Sequence, residues 1–382
     1  MHNSSLAKTR REYIHVGSMA ASLRPSVSAK EESSLSLRAK VAWILILFII
    51  LTACQTNNNT LTRSQFLAFG TIIDISIYGV TKPRAQQAID ELEQRFKQWH
   101  QAWHPWQGNG DLYQLNQALG RGENVTIPPS LQPLFQQATE LSKRSQGLFD
   151  PAIGTIIRAW GFSQDAAPVK PPSDKKIKQL LSQHISLAEL NQEPDQLNSQ
   201  GHPVQLDFGA YAKGYAIDLA IAYLQQQGID NAIINAGGDL RAIGRHGERP
   251  WRIGIRHPRQ PGILAAIDIE QDMSVFTSGD YERNFSYEGK NYHHIIDPRT
   301  GYPARQTRSV TVIHSNAATA DAAATALFIA GPQHWQEIAK AMRVQDVMLI
   351  DAQGQIQLSP TMQKHVQFTE SGSHTIIVSQ AP

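Results

Sequence analysis

The segment LDFGAYAKGYAIDLA, residues 206–220, predicts a turn from a strand into a helix, and its small side chains leave room for another group to approach the backbone. The helix is predicted from about Ala212 to Gln227 and is ended by Gly228. The N–H groups at its N-terminus and the ammonium group of Lys213 would together favour a phosphate. The alternative is an ordinary strand-to-helix turn with a solvated lysine, because the segment matches neither GxxxxGK[ST] nor GxGxxG.

On either side of this helix, some segments have the apolar spacing of a strand and others the apolar spacing of a helix. They do not form a regular strand–helix–strand repeat. Alternating apolar residues predict a strand over 71–78, and apolar residues three and four apart predict a helix from Pro83 to Trp103. The same criteria predict helices over 131–145 and 317–329, strands over 232–234, 251–255, 263–269 and 310–314, and a hairpin around 351–354. This mixture predicts an α+β fold in one compact unit.

The helix predicted after residue 316 carries a carboxylate and a hydroxyl on one face. Asp321 and Thr325 stand four residues apart in NAATADAAATALFIAG, and the alanines between them clear space. Oxygen donors of this kind suit a hard cation such as Mg²⁺, which commonly bridges to substrate phosphates. The alternative is a tightly packed helix with one exposed aspartate.

Two further segments combine polar groups with turn signals. YHHIIDPRTGYP, residues 292–303, holds two histidines, the usual acids or bases near neutral pH, ahead of a DP turn. GLFDPAIGTIIRAWGF, residues 147–162, combines an apolar and aromatic wall with one carboxylate, which suits a flat heteroaromatic ring. A connecting turn and ordinary core packing are the respective alternatives.

Residues 1–53 are predicted to be a bacterial lipoprotein signal peptide. A basic segment precedes the apolar run 41–53, which is shorter than the roughly 20 residues that span a bilayer. Cys54, the only cysteine, stands where a lipidated cysteine belongs, and a flexible polar tether is predicted over 54–63. The alternatives are an uncleaved amphipathic anchor and a buried helix with a core cysteine, and Met19 is an alternative start.

Removal of the signal changes the charge balance of the chain. The full sequence has a formal net charge of +2, but residues 1–53 carry seven basic and three acidic residues. The remainder holds 28 basic against 30 acidic residues and has no Lys/Arg-rich stripe with interleaved aromatic residues. This composition argues against a nucleic-acid-binding surface.

Taken in chain order, these segments resemble the ApbE family of FAD:protein FMN transferases, flavin transferase lipoproteins formerly labelled thiamine-biosynthesis lipoproteins. The resemblance covers roughly residues 66–347. It is carried by FGTIIDI, the YQLN loop, FDPAIG with WGF, LDFGAYAKGYAID, NAGGDL, SGDYER, HIIDPRTG and DAAATAL. It implies an ApbE-like (T-fold-like) α+β fold, with mixed or antiparallel sheets and packed helices, as a single catalytic domain over 64–382.

The resemblance also implies which residues form the site. It places Mg²⁺ on Asp321, Thr325 and the backbone carbonyl of Ala210, and it makes His294 the proposed base. The FAD site that it implies is lined by Phe69, Trp106, Leu148, Phe149, Asp150, Asp207, Lys213, Ile295 and Ile296.

The activity that the resemblance implies is transfer of FMN from FAD to a threonine hydroxyl of an exported acceptor protein, with release of AMP. FAD is then the substrate, Mg²⁺ is required, and acceptors would be exported domains of NADH:quinone reductase-type or related electron-transfer complexes. A Mg²⁺-dependent FAD pyrophosphatase and a non-catalytic flavin-binding lipoprotein are the alternatives.

The location implied is the cell envelope, on the periplasmic side of a membrane that holds the lipid of Cys54. Gln55 stands where an aspartate is associated with retention in the inner membrane, so both the inner and the outer membrane stay open.

Overall fold

The computed structural model describes residues 60–164, 166, 169–190, 195–369 and 375–379. Its strands are β1 (Leu61–Ala68), β2 (Thr71–Tyr78), β3 (Val125–Thr126), β4 (Gln196–Leu197), β5 (Ala232–Ala236), β6 (Asp239–Ile243), β7 (Trp251–Arg256), β8 (Ile263–Ile269), β9 (Met273–Gly279), β10 (Asn284–Tyr287), β11 (Lys290–His293), β12 (Thr307–His314), β13 (Asp346–Asp351), β14 (Ile356–Leu358), β15 (Val366–Phe368) and β16 (Ile376–Val378). Its helices are α1 (Lys82–Trp103), α2 (Asp111–Leu119), α3 (Gln132–Arg144), α4 (Gly154–Ala159), α5 (Asp174–Ser182), α6 (Leu187–Leu190), α7 (Ala212–Gln226), α8 (Ala317–Met342) and α9 (Met362–His365).

A nine-stranded sheet in the order β1-β2-β5-β6-β9-β12-β13-β14-β16 forms the centre of this part of the chain. Neighbouring strands are antiparallel apart from the parallel pair β14–β16. Smaller sheets are formed by β15-β8-β7, β10-β11 and β3-β4. The predicted α+β fold with mixed or antiparallel sheets and packed helices is therefore confirmed.

Alternate residues of the large sheet face two separate cores, as the two-residue period of a strand requires. Phe276 and Val312 pack in one core with apolar residues of α1, α7 and α8. Their neighbours Val275 and Ile313 pack in the other core with residues of β7 and β8. The sheet is thus covered by helices on one face and by a small sheet on the other. Full burial of each large apolar side chain contributes about 1.5–3 kcal/mol.

One end of the large sheet brings several turns together. The β1–β2 turn closes at the pair Ala68 and Thr71, and the β5–β6 turn closes at Ala236 and Asp239. These turns are adjacent because the N–H of Gly237 donates a hydrogen bond to the carbonyl of Ile72, at 3.2 Å. Loops at this end therefore lie close to one another although they are far apart in the chain.

Helix α8 extends beyond the predicted end at residue 329. Gly331 interrupts it with φ 74° and ψ 179°, Pro332 follows, and a second helical segment runs on to Met342. A Cβ at residue 331 would lie 2.6 Å from Oε1 of Gln306, so glycine satisfies both the positive φ and the close approach. The predicted boundary marks this break, and the sequence did not reveal the second segment.

Two local predictions differ from the structure. The YQLN segment, predicted as a loop, lies in α2, because Leu112, Leu115 and Leu119 recur at helical spacing and bury one face. Residues 61–63, assigned to the tether, form the first part of β1, where they pair with residues 76–78 of β2.

The predicted signal peptide and Cys54 lie outside the described residues. Within the part of the chain that is described, no helix is long and apolar enough to cross a membrane.

Candidate functional site

A lysine between two carboxylates marks the N-terminus of α7. The Nζ atom of Lys213 lies 3.2 Å from Oδ2 of Asp239, at the start of β6, and 3.6 Å from Oδ1 of Asp321, on α8. All three side chains are largely removed from solvent, with exposed fractions of 23%, 14% and 6%. A buried cluster of one cation and two anions has a net negative charge, which favours a further positive group beside it.

The charges of this cluster follow from burial and from one another. Burial raises the pKa of Asp321 to about 6, and the carboxylate of Asp239 adds to that rise while the ammonium of Lys213 opposes it. Burial by itself would lower the pKa of Lys213, but the carboxylates of Asp321 and Asp239 outweigh it and raise that pKa above its ordinary value. At pH 7.5 the lysine is therefore charged and Asp321 is mostly ionised.

Close packing of α7 on α8 fixes the position of Asp321. The N–H of Gly214 donates a hydrogen bond to Oδ2 of Asp321, at 3.0 Å. A Cβ at residue 214 would lie only 2.3 Å from the carbonyl oxygen of Ala317, so no larger residue fits without moving one helix. The small residues that the sequence shows around this turn thus serve helix packing as well as access to the backbone.

We expect Gly214→Ala to destabilise the chain by about 1–3 kcal/mol, because the added methyl group overpacks the contact between the two helices. Thermal unfolding of the chain that starts after Cys54 measures the effect. In an ordinary helix the same change is stabilising by roughly 0.5–1 kcal/mol. A higher melting temperature would therefore contradict the close approach of α7 and α8.

The predicted metal residues on α8 carry oxygen donors. Thr325 lies one turn beyond Asp321, and its Oγ1 is 3.2 Å from Oγ of Ser278 on β9. Ala210 lies in the turn that leads into α7, before Tyr211. Within the described ranges, no three His, Cys, Asp or Glu side chains form a metal-holding group. The predicted set of carboxylate, hydroxyl and carbonyl oxygens fits Mg²⁺, which prefers oxygen ligands and keeps several waters.

The structure brings Asp207 and Trp106 together. Burial raises the pKa of Asp207, although hydrogen bonds from the backbone of Gly209 and from the side chain of Trp106 oppose that rise. The bond from the Gly209 N–H to Oδ1 of Asp207 measures 2.7 Å. The loop after α1 thus meets the turn that precedes α7.

Phe69 occupies the β1–β2 turn at the same end of the sheet. Its φ of 52° is unusual for a residue with a side chain, and its N–H donates to Nδ1 of His100, at 3.2 Å. Its ring stacks on Trp103 with centroids 5.9 Å apart. The aromatic end of α1 therefore supports Phe69 in this strained conformation beside the candidate site.

The carboxylate of Asp150 is occupied by protein donors. Its Oδ1 accepts hydrogen bonds from the N–H groups of Ala152 and Leu187, both at 3.0 Å, and its Oδ2 lies 2.8 Å from Nε2 of His184. Leu148 and Phe149 are buried in the main core. The Asp150 side chain thus joins its own loop to the segment around the start of α6, and a role of residues 148–150 in lining the FAD site stays a prediction.

His294 is a partly buried, uncharged histidine. Burial, together with the positive charge of Arg283, lowers its pKa to about 3, and the charge of Lys213 contributes in the same direction. Its Nδ1 lies 3.3 Å from the carbonyl oxygen of Arg283. An Nδ1–H that donates to this carbonyl leaves Nε2 as an acceptor. Ile295 and Ile296, which follow it, are buried in different apolar clusters.

Sequence reasoning missed Asp239 and Ser278 as individual residues of the site. Both stand in segments that carry the family resemblance, NAGGDL and SGDYER, but nothing in either segment distinguishes the site residue from its neighbours. Their positions depend on the pairing of β6 with β9 and on the packing of β9 against α8. A periodic pattern does not reveal such long-range contacts.

Two surface clefts lie away from these groups. One of about 630 Å³ runs along α1 beside Tyr223, and one of about 370 Å³ lies on α3 beside Thr319. Neither is lined by Lys213 or Asp321, so the convergence of charged groups identifies the candidate site better than concavity does.

Comparison with known proteins gives a consistent result. The model of the ApbE family matches residues 69–349. The chain is 41% identical over 307 residues to the FAD:protein FMN transferase of Rhodobacter capsulatus, a match that spans 80% of this chain and 58% of that protein. It is 31% identical over 284 residues to the FAD:protein FMN transferase of Treponema pallidum, a match that spans 69% of this chain and 77% of that one.

Solved structures of similar fold include the ApbE protein from Thermotoga maritima, with a TM-score of 0.72 and 28% identity. The flavin transferase ApbE from Vibrio cholerae gives a TM-score of 0.70 and 25% identity. Each match covers 80% of this chain and 99% of the solved chain.

Proposed function

The chain belongs to the ApbE family, and we propose that it is an FAD:protein FMN transferase that moves FMN from FAD to a threonine hydroxyl of another protein. The observation that carries the proposal is the buried Lys213 between Asp239 and Asp321 at the N-terminus of α7. A fixed ammonium group beside the end of a helix favours a bound pyrophosphate. Because phosphoryl transfer depends mainly on positioning and electrostatic stabilisation, few further groups are needed.

We propose that Asp321, Thr325 and the carbonyl of Ala210 hold Mg²⁺. The carboxylate is mostly ionised at pH 7.5, and the hydroxyl and carbonyl complete a set of hard donors. An ion held there would supply positive charge beside the pyrophosphate.

His294 is proposed to take the proton of the attacking hydroxyl. The ring is neutral in the physiological range, and an Nδ1–H directed at the Arg283 carbonyl leaves Nε2 free to accept that proton. The threonine oxygen forms a bond to the FMN-side phosphorus of FAD, the bond from that phosphorus to the bridging oxygen breaks, and AMP leaves with that oxygen. Lys213 stabilises the negative charge on the phosphates through this step.

The flavin end of FAD is proposed to lie near Phe69 and Trp106. Both are at the end of the sheet that carries Asp239, Phe69 in the β1–β2 turn and Trp106 beside Asp207. Aromatic faces of this kind suit a flat ring. Asp207 and Lys213 are proposed to contact FAD as well.

A lipid anchor on Cys54 in the cell envelope stays a proposal, which is supported by the basic segment and the apolar run 41–53 ahead of the cysteine. β1 begins at Leu61, within the segment predicted as a tether, and ends at Ala68 beside the site. Eight strand residues span roughly 25 Å, which separates the start of β1 from the site. We propose that the acceptor is an exported domain of an electron-transfer complex.

The test is to incubate the chain that starts after Cys54 with FAD, Mg²⁺ and a candidate acceptor domain, and to measure the intact mass of the acceptor. We expect a gain of one FMN unit, which is lost with EDTA and with an acceptor whose target threonine is replaced by valine. Release of free FMN and AMP with an unmodified acceptor would favour the pyrophosphatase instead. Bound FAD without turnover would favour a flavin carrier.

A further inference from the structure

Asp239 lies beside the proposed chemistry without belonging to the proposed metal set. One carboxylate oxygen, Oδ2, is 3.2 Å from Nζ of Lys213, and the other, Oδ1, accepts a hydrogen bond from the N–H of Thr277 at 3.0 Å. Asp239 belongs to β6 and Thr277 belongs to β9, and these two strands are neighbours in the central sheet. The carboxylate is therefore fixed from both sides.

Lys213 has two anions within reach, and it lies closer to Asp239 than to Asp321. If Asp321 alone faced the ammonium, the lysine and a divalent cation would compete for one carboxylate, because like charges in a buried site repel strongly. The arrangement of two carboxylates around one lysine removes that competition. The ammonium keeps an anion of its own when the other anion binds a metal.

We propose that Asp239 is a positioning residue that holds the Lys213 ammonium beside the Asp321 carboxylate and prevents it from occupying the place of the cation. This inference rests on the proposed function, in which Asp321 holds Mg²⁺ and Lys213 contacts the pyrophosphate. Asp239 lies outside the proposed metal set, and its carboxylate contacts Lys213 and Thr277. It acts through the lysine, so its effect depends on the presence of that lysine.

The test is a double-mutant cycle in which Mg²⁺ binding to the FAD-free chain that starts after Cys54 is measured by calorimetry. Asp239→Asn keeps an oxygen for the Thr277 N–H and removes the charge. We expect it to weaken Mg²⁺ binding about tenfold, which corresponds to about 1.4 kcal/mol and lies within the range of couplings between neighbouring residues. In a Lys213→Met background, the same change is expected to alter Mg²⁺ affinity by about twofold or less.

A matched control is Asp268→Asn, which removes one charge from the Arg252–Asp268 pair on β7 and β8. It is expected to leave Mg²⁺ affinity unchanged. An equal loss from Asp239→Asn in both backgrounds would overturn the inference, because Asp239 would then act on the cation directly. No loss in either background would overturn it as well.

A wild-type chain that binds no Mg²⁺ would also overturn the inference. The transfer assay without Mg²⁺ would then test the proposed function separately, because FMN transfer in that assay would retain the function although the inference had failed. Circular dichroism of each variant shows whether it is folded, and retained Mg²⁺ binding by Lys213→Met shows that loss of the lysine leaves the metal residues in place.

Discussion

Replacement of Asp321 by alanine is expected to lower kcat/KM for FMN transfer by about 10³-fold or more. The carboxylate is the charged member of the proposed metal set, and it also accepts the Gly214 N–H and faces Lys213. Its removal leaves a buried ammonium with one partner fewer and leaves the cation without its strongest ligand. Loss of a single electrostatic stabiliser commonly costs 10²–10³-fold, and loss of a metal ligand adds to that effect.

Asp321→Asn separates charge from packing, because its amide oxygen can still accept the Gly214 N–H. We expect this variant to be nearly as inactive as the alanine variant and to melt close to the wild-type temperature. The intact mass of the acceptor measures transfer at saturating FAD and Mg²⁺. Substantial transfer by either variant would remove Asp321 from the proposed mechanism.

The sequence predicted several long elements of the domain well, but it missed β1 and the second segment of α8 as well as the shortest strands. The helix over 131–145 and the strand over 71–78 agree with α3 and β2 within a residue or two, because long periodic segments carry a strong signal. Strands of two to four residues, such as β3 and β14, offer too few residues for a period to be recognised. Their pairing depends on distant partners.

The residues of the candidate site could also be predicted from the sequence only in part. Lys213 and Asp321 could be selected from the sequence because one begins a helix and the other faces Thr325 on a helix. Asp239 could be assigned to the site only from the structure, in which the β5–β6 turn places it against Lys213. Asp150 illustrates the opposite case, since its isolated carboxylate in an apolar segment proves to be hydrogen-bonded by its own loop and by the start of α6.

The second large effect is expected from His294→Gln, which should lower kcat for transfer by about 10²–10⁴-fold and change the KM for FAD little. Burial and Arg283 lower the pKa of this histidine to about 3. The ring is therefore neutral throughout the range from pH 5 to 8 and gains a proton only well below it. Steady-state kinetics of acceptor modification measure both constants.

The pH dependence tests the role more sharply than the loss of rate. An ordinary histidine with a pKa near 6.5 would impose a fall in rate below that pH, because its protonated form cannot act as a base. His294 protonates only near pH 3, so the wild-type rate at saturating Mg²⁺ should show no such fall between pH 6 and 7.5. A rate that halves near pH 6.5 in the wild type and becomes independent of pH in His294→Gln would show a histidine that ionises in the working range. That result would contradict the partly buried, neutral base inferred from the lowered pKa of His294.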